Sequence, residues 1–322
     1  MLPPMTFART GAAARAALRT GALAVVGVVA LAACSAAGGT TGRASGSPLQ
    51  VVAAENVWGS IAAQLGGSNV EVTNLIDSPA SDPHDYEPTA ADARAVASAD
   101  YVVVNGVGYD TWASRLVAAN PSSTRRDLTI GAYLGVPSGG NPHRWYSPHD
   151  VRAVIDRITA DYTALDPLHA ADYAARRAAF LTVGLRAYDR AIASINTEFT
   201  GTKVGASESI FALMAPALGL NLITPQTFRR AISEGNDPTA SDKATVDGQI
   251  RNGEIAAYVY NSQNATPDVQ AQVAAARANN IPVSAITETL TPAGASFQAW
   301  QTAQLVALRA ALRGTSTSGA TP

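Results

Sequence analysis

Short apolar runs recur along this chain at intervals that leave room for a helix between them, and this rhythm limits the possible folds more than any other feature. The runs cover residues 49–54, 70–76, 101–105, 203–206, 256–260 and 281–286. They are rich in Val and Ile and lack strict alternation, as expected of strands covered on both faces. Helical patterns fall between them, over 57–65, 89–99, 109–119, 210–218, 240–252, 267–279 and 293–312. Strand and helix alternate in both halves, which predicts three-layer α/β domains.

The middle of the chain breaks the rhythm. Residues 148–165 and 168–195 read as helix with no strand between them, interrupted at Asp166-Pro167. In the second segment Leu181, Leu185, Tyr188, Ile192 and Ile195 form one apolar stripe, while Arg176, Arg177, Arg186 and Arg190 fall largely elsewhere. A helix of this length reaches roughly 42 Å at 1.5 Å per residue, long enough to run along two domains. The expected organisation is an N-terminal lobe over 49–165, a linking helix over 168–197 and a C-terminal lobe over 198–313. A kink near Gly184 is compatible with the pattern.

Residues 1–33 carry Arg9, Arg15 and Arg19, no acidic residue and an apolar stretch from 21 to 33, the plan of an export signal. The apolar run falls short of the ~20 residues that span a bilayer. It ends in Leu31-Ala32-Ala33-Cys34, and Cys34 is the sole cysteine. This resembles the lipobox of bacterial lipoproteins, in which the cysteine becomes the lipidated first residue, and an unpaired thiol on an exported protein is otherwise unexpected. The Gly-, Ser-, Thr- and Ala-rich stretch that follows completes a flexible tether over 34–48. Removing the signal takes three of the 23 basic residues and leaves 20 against 25 acidic ones, a net charge of −5. With no basic stripe, nucleic acid is not an expected partner.

The chain holds four histidines, two of them in motifs 59 residues apart: Asp82-Pro83-His84-Asp85-Tyr86-Glu87-Pro88 and Asn141-Pro142-His143-Arg144-Trp145. Each of the two follows a proline, which fixes the backbone ahead of it and aims a ring presented on a loop. Thr89 with Asp92, and Ser147 with Pro148 and Asp150, are helix-start signals just beyond them. Both histidines therefore precede a helix on the connecting side of an α/β unit, where ligands bind in open sheets. In the second half, Glu208 and Glu288 each follow a strand-like run in the same way. His149 and His169 are expected on helix surface.

The order DPHDYEPT, ADYVVVNGVGYDTW, NPHRWYSP, SESIFALMAPALGL and ITETLTP resembles the metal-binding receptors of manganese and zinc ABC transporters, also called lipoprotein receptor antigens or metal-binding adhesins. The resemblance runs over residues 49–312. It implies two α/β lobes bridged by a long rigid helix, with one metal ion held between them. Matched by motif, the ligand positions fall on His84, His143, Glu208 and Glu288. The family usually has Asp at the fourth, so Glu288 is one methylene longer than the common ligand. The His- and Asp-rich loop of many zinc receptors is absent from 130–141. The resemblance also implies a monomer, anchored to the membrane through Cys34, that delivers its cargo to a permease with its ATPase.

Two imidazoles and two carboxylates suit Mn(II), Zn(II) or Fe(II), without the thiolates that select softer ions. Carboxylates that bind through one or both oxygens favour Mn(II), whereas the general affinity order favours Zn(II). A secreted metallohydrolase is the poorer reading: there is no HExxH, no Ser-His-Asp order, and four protein ligands leave little place for an activated water. A cell-surface adhesin of the same fold is a third reading, on which the residues are silent.

Overall fold

The computed structural model describes residues 47–314 apart from 82 and 85. The expected signal over 1–33, the lipidated Cys34 and all but the end of the 34–48 tether lie outside the described residues. Among the described residues no helix is long and apolar enough to cross a membrane.

The first half opens with β1 (Leu49–Glu55), α1 (Asn56–Gly66), β2 (Val70–Ile76), α2 (Ala90–Ser98), β3 (Tyr101–Val104), α3 (Thr111–Ala119) and β4 (Arg126–Thr129). The short α4 (Ile130–Tyr133) leads by a long loop to α5 (Pro148–Leu165). Next come α6 (Ala170–Ala179), a π turn over Phe180–Gly184 and α7 (Arg186–Phe199). The second half runs β5 (Lys203–Ala206), β6 (Asn221–Leu222), α8 (Gln226–Ser233), α9 (Ala240–Arg251), β7 (Tyr258–Asn261), α10 (Pro267–Ala278), β8 (Val283–Ile286) and α11 (Phe297–Leu312).

The strands make two wholly parallel four-stranded sheets, ordered β2-β1-β3-β4 and β6-β5-β7-β8. Alternate residues serve opposite faces of each sheet. Tyr101 and Val103 of β3 join the central core, while Val102 and Val104 pack with Val96 and Trp112 under α2 and α3. In the second sheet Val259 faces the central core, and Tyr258 faces Val246, Ile250 and Val269 of α9 and α10. Each lobe therefore has helix, sheet and helix layers, and the central core continues from one lobe into the other. At about 1.5–3 kcal/mol for each fully buried large apolar side chain, this shared core holds the lobes to the helix between them.

The capping residues read from the sequence perform as expected. Thr89 and Asp92 form a capping box at α2, and Ser147 accepts the Asp150 N–H at the start of α5 with Pro148 in its first turn. Four differences have local causes. The helix expected over 210–218 is a 3-10 turn at Ser209–Leu213, because Pro216 lacks an N–H and restricts the residue before it. Strands β4 and β6 and helix α8 had no sequence counterpart: β4 has exposed Arg126 and Asp127, β6 has two residues, and α8 buries only Phe228 and Ile232.

The bridging helix departs from a regular α-helix at one place. Its buried residues Tyr173, Phe180, Leu185, Tyr188 and Ile195 are spaced 7, 5, 3 and 7, and the step of five does not fit one α-helical stripe. The Leu185 N–H bonds to the Phe180 carbonyl at 2.8 Å, closing a π turn that absorbs the extra residue and keeps both sides on one face. α7 then packs along α11, where Arg309 and Arg313 pair with Glu198. Deleting the exposed Val183 is expected to convert the π turn to α-helix and leave stability within about 1 kcal/mol of the parent. Deleting the exposed Arg190 instead rotates Ile195 off the core, costing about 2–5 kcal/mol for that side chain alone. Thermal and denaturant unfolding of the two deletions distinguishes a spacer turn from a structurally required one.

Candidate metal centre

His84, His143, Glu208 and Glu288 all lie on connections that leave the carboxyl ends of parallel strands, after β2, β4, β5 and β8 respectively. A cavity of about 1170 Å³ opens over His84, His143 and Glu288, lined from both lobes. Three of the four converge. One ligand atom each of His84, His143 and Glu288 lies within 4.8 Å of the other two, and both imidazole Nε2 atoms are 4.0 Å from Glu288 Oε2. Donors each about 2.0–2.2 Å from a shared ion stand at most roughly 4.4 Å apart, so the two 4.0 Å distances to Glu288 fall within the span of a coordination shell.

His84 rides on the 77–89 connection. Trp112 Nε1 donates to the Pro83 carbonyl at 2.9 Å, and the imidazole packs edge-on to Tyr109 with ring centroids 4.7 Å apart. Its side chain remains 35% exposed, so it is the member of the group that solvent reaches. His143 is fully buried. Asn141 Nδ2 donates to the Ser209 carbonyl at 2.7 Å, which turns Asn141 Oδ1 toward His143 Nδ1 at 2.9 Å. That contact requires the proton on Nδ1 and leaves a lone pair on Nε2, the arrangement seen in metal-ligating histidines. Nε2 is buried with no hydrogen-bond partner among the described residues. Burial, with His84 adding to it, pushes the His143 pKa down to about 3, so the ring is neutral and ready to bind at physiological pH.

Glu288 is held from both lobes. Tyr109 Oη donates to Oε2 at 2.8 Å, and Asn261 Nδ2 donates to Oε1 at 2.6 Å. Tyr109 is aimed into the cleft by a tight loop, Gly106–Val107–Gly108, whose residues all have positive φ. Asp110 fixes that loop by accepting the N–H groups of Asn105 at 2.6 Å and Gly106 at 2.7 Å. Val107 at φ 57° is in a conformation that β-branched residues rarely adopt, within a turn that the Asp110 hydrogen bonds to Asn105 and Gly106 hold in place. Behind the loop the buried Glu55 carboxyl is pushed well up, by burial first and by Asp110 second.

Glu208 stands beside the group of three, outside its 4.8 Å limit. Its Oε2 accepts from Ser233 Oγ at 3.1 Å and Asn264 Nδ2 at 3.3 Å, while Oε1 is buried without a hydrogen-bond partner among the described residues. Burial and the negative charge of Glu288 push its pKa up to about 8. His149, 90% exposed beside Asp150, and His169, bonded to Asp166 at 2.7 Å, lie on helix starts outside the group. Sequence reading missed Tyr109, Asn141, Asn261 and Gln263 as supports. Tyr109 and Asn141 sit within the quoted motifs, but neither residue type signals a ligand there.

Residues 51–311 match the family model described as zinc-uptake complex component A, periplasmic. The chain is 31% identical to the manganese-binding lipoprotein MntA of Halalkalibacterium halodurans over 49% of this chain and 53% of that protein. It is 24% identical to the metal ABC transporter substrate-binding lipoprotein FimA of Streptococcus parasanguinis over 79% of this chain and 84% of that protein. The chain thus spans about half the length of the first of these relatives. A solved Mn-bound periplasmic metal-binding protein from Candidatus Liberibacter asiaticus superposes with a TM-score of 0.67 at 19% identity, over 81% of this chain and 98% of that one, a likeness of fold. Because the family match runs through both sheets and every connection that carries a cleft residue, the chain belongs to the periplasmic zinc-uptake component A family.

Proposed function

We propose that this protein is an extracytoplasmic solute-binding lipoprotein that captures one divalent transition-metal ion between its lobes, Mn(II) or Zn(II) with Fe(II) also suited, and delivers it to an ABC permease with its ATPase. The observation that carries the reading is the convergence on one point of His143 and Glu288, both buried, with the partly exposed His84. Glu208, with one oxygen lacking a hydrogen-bond partner among the described residues, is the natural fourth ligand. Lobes over 49–165 and 198–313, joined by 168–197, would carry the two sides of the site. A signal over 1–33 and lipidation of Cys34 would tether a monomer to the outer face of the cell membrane. The cleft binds rather than catalyses in this reading, because four protein ligands leave no open position for an activated water.

Both metals fit the donor set. Glu208 and Glu288 can bind through one or both oxygens, which favours the higher coordination numbers of Mn(II), and the affinity order favours Zn(II). A competitive titration of Mn(II) and Zn(II) into metal-stripped protein, read by elemental analysis, is expected to give one tightly bound ion per chain. Failure to bind either ion sinks the proposal. His84→Ala and His143→Ala are each expected to weaken binding by at least about 100-fold. Stoichiometric retention of the ion in both variants would remove these histidines from the site.

The charge state of Glu208 gives the site a pH dependence. With a folded pKa near 8, the metal-free protein carries Glu208 protonated at pH 7, and coordination must displace that proton. His143, with its pKa near 3, has none to give up. Binding at pH 7 is expected to release on the order of one proton per ion, measured calorimetrically in buffers of different ionisation enthalpy, and Glu208→Gln should abolish the release. In the metal-free protein the raised pKa contributes stability that is full below pH 4.5 and is lost as pH rises through 8. Glu208→Gln should therefore raise the metal-free Tm by an increment that grows between pH 4.5 and 8, while lowering that of the loaded protein. The same Tm gain at pH 4 and pH 8 would refute the shifted carboxyl.

A further inference from the structure

We infer that Gln263 is a positioning residue that latches the His84 loop onto the second lobe and so sets how slowly the bound ion leaves. The inference rests on the metal-receptor reading and adds the element that governs release. Gln263 lies just beyond β7, and its side-chain amide makes four hydrogen bonds, its full capacity of two donors and two acceptor sites. Oε1 accepts the backbone N–H of Glu288 at 2.6 Å and of Thr289 at 3.0 Å. Nε2 donates to Thr289 Oγ1 at 2.7 Å and, across the cleft, to the Pro79 carbonyl at 2.5 Å. The partners leave no choice of amide orientation, because the two backbone N–H groups only donate and the Pro79 carbonyl only accepts. The Gln263 N–H is itself held by Asn261 Oδ1 at 3.0 Å, and Asn261 Nδ2 holds Glu288 Oε1. One short segment thus fixes Glu288 through both backbone and side chain, and reaches over to the loop of the opposite histidine.

Pro79 lies five residues before His84 on the connection from β2 to α2, and it is exposed. His143 and Glu288 are buried, whereas His84 is 35% exposed, so the ion leaves most readily by withdrawal of His84 with its loop. That movement must break the bond between Pro79 and Gln263. The amide does not need to touch the ion to slow its exit. It holds the exposed ligand to the segment that holds a buried one, and a departing loop gives up both at once.

Gln263→Glu separates the two ends of the latch. A carboxylate still accepts from the Glu288 and Thr289 N–H groups, but it has no donor for the Pro79 carbonyl and repels it. The added negative charge beside a bound cation works in the opposite direction, favouring retention. Ion-loaded parent and variant are mixed with excess chelator, and dissociation is followed by stopped flow, with association measured separately. The latch predicts dissociation about 5- to 10-fold faster in Gln263→Glu, as for the loss of one hydrogen bond, with association changed less than about twofold. It also predicts faster hydrogen exchange at residues 78–81 of the loaded variant. A structural contribution alone would lower the metal-free Tm and leave the exchange of the loaded loop unmoved. Dissociation equal to or slower than the parent's in both Gln263→Glu and the uncharged Gln263→Met overturns the latch, even though the parent binds its ion. A parent that takes up neither Mn(II) nor Zn(II) overturns the receptor reading beneath it. Should Gln263→Glu not fold, Gln263→Met is judged by the same dissociation criterion.

Discussion

The carboxylate of Glu288 is the group on which both halves of this protein converge. A phenol from one lobe and an amide from the other donate to its two oxygens, and two imidazole nitrogens stand 4.0 Å away. A buried carboxylate is costly unless charge or hydrogen bonds compensate it. Here the hydrogen bonds orient it, and repulsion from its charge, with burial, keeps the Glu208 carboxyl beside it protonated. A divalent cation held as proposed would relieve that repulsion and supply partners for the His143 Nε2 and Glu208 Oε1 atoms. Much of the loop architecture around the cleft, from the left-handed turn at Tyr109 to the Asn141 bridge, keeps this unfavourable cluster assembled.

How far the sequence foretells this arrangement depends on the physical signal each element carries. Strands β1, β3, β5 and β7, interior to their sheets, were legible because covered parallel strands must be nearly continuous apolar runs, and Val51, Val103 and Val204 are buried accordingly. The edge strands β4 and β6 were not, since an exposed edge tolerates Arg126, Asp127 and Asn221. Residues with ligand chemistry were visible as types, and the four expected positions do lie on strand exits. Their distances to one another were not visible. Glu288 comes into the histidine group, whereas Glu208 stands back on Ser233 and Asn264. Gln263 gave no signal at all, because its role consists of neighbours supplied by segments near residues 79 and 288.

The cleft divides its work between fixed and reachable parts. His143 and Glu288 are buried and braced, so their geometry is set before any ion arrives, which spares the entropy of assembling them. His84 lies on a long connection with a partly exposed ring. Under the proposed function, such a division would give tight capture by a shaped floor and exchange through a single side. The continuous core along the bridging helix complements this, since α7 and α11 pack together and α11 returns its first turn to α1 through Ser60 and Gln298. Movement is thereby directed to the connections above the sheets.

The aromatic packing behind the site has a further consequence. Trp145 lies edge-on to His143 with ring centroids 5.4 Å apart, Tyr109 lies 5.0 Å from the same indole, and Trp58 follows at 6.2 Å. On the proposed function, an ion bound to His143 would change the charge felt by an indole this close, and a paramagnetic ion such as Mn(II) would quench its emission. If the cleft fills as proposed, the protein carries its own optical reporter, and filling and emptying would be followed by intrinsic fluorescence without a label.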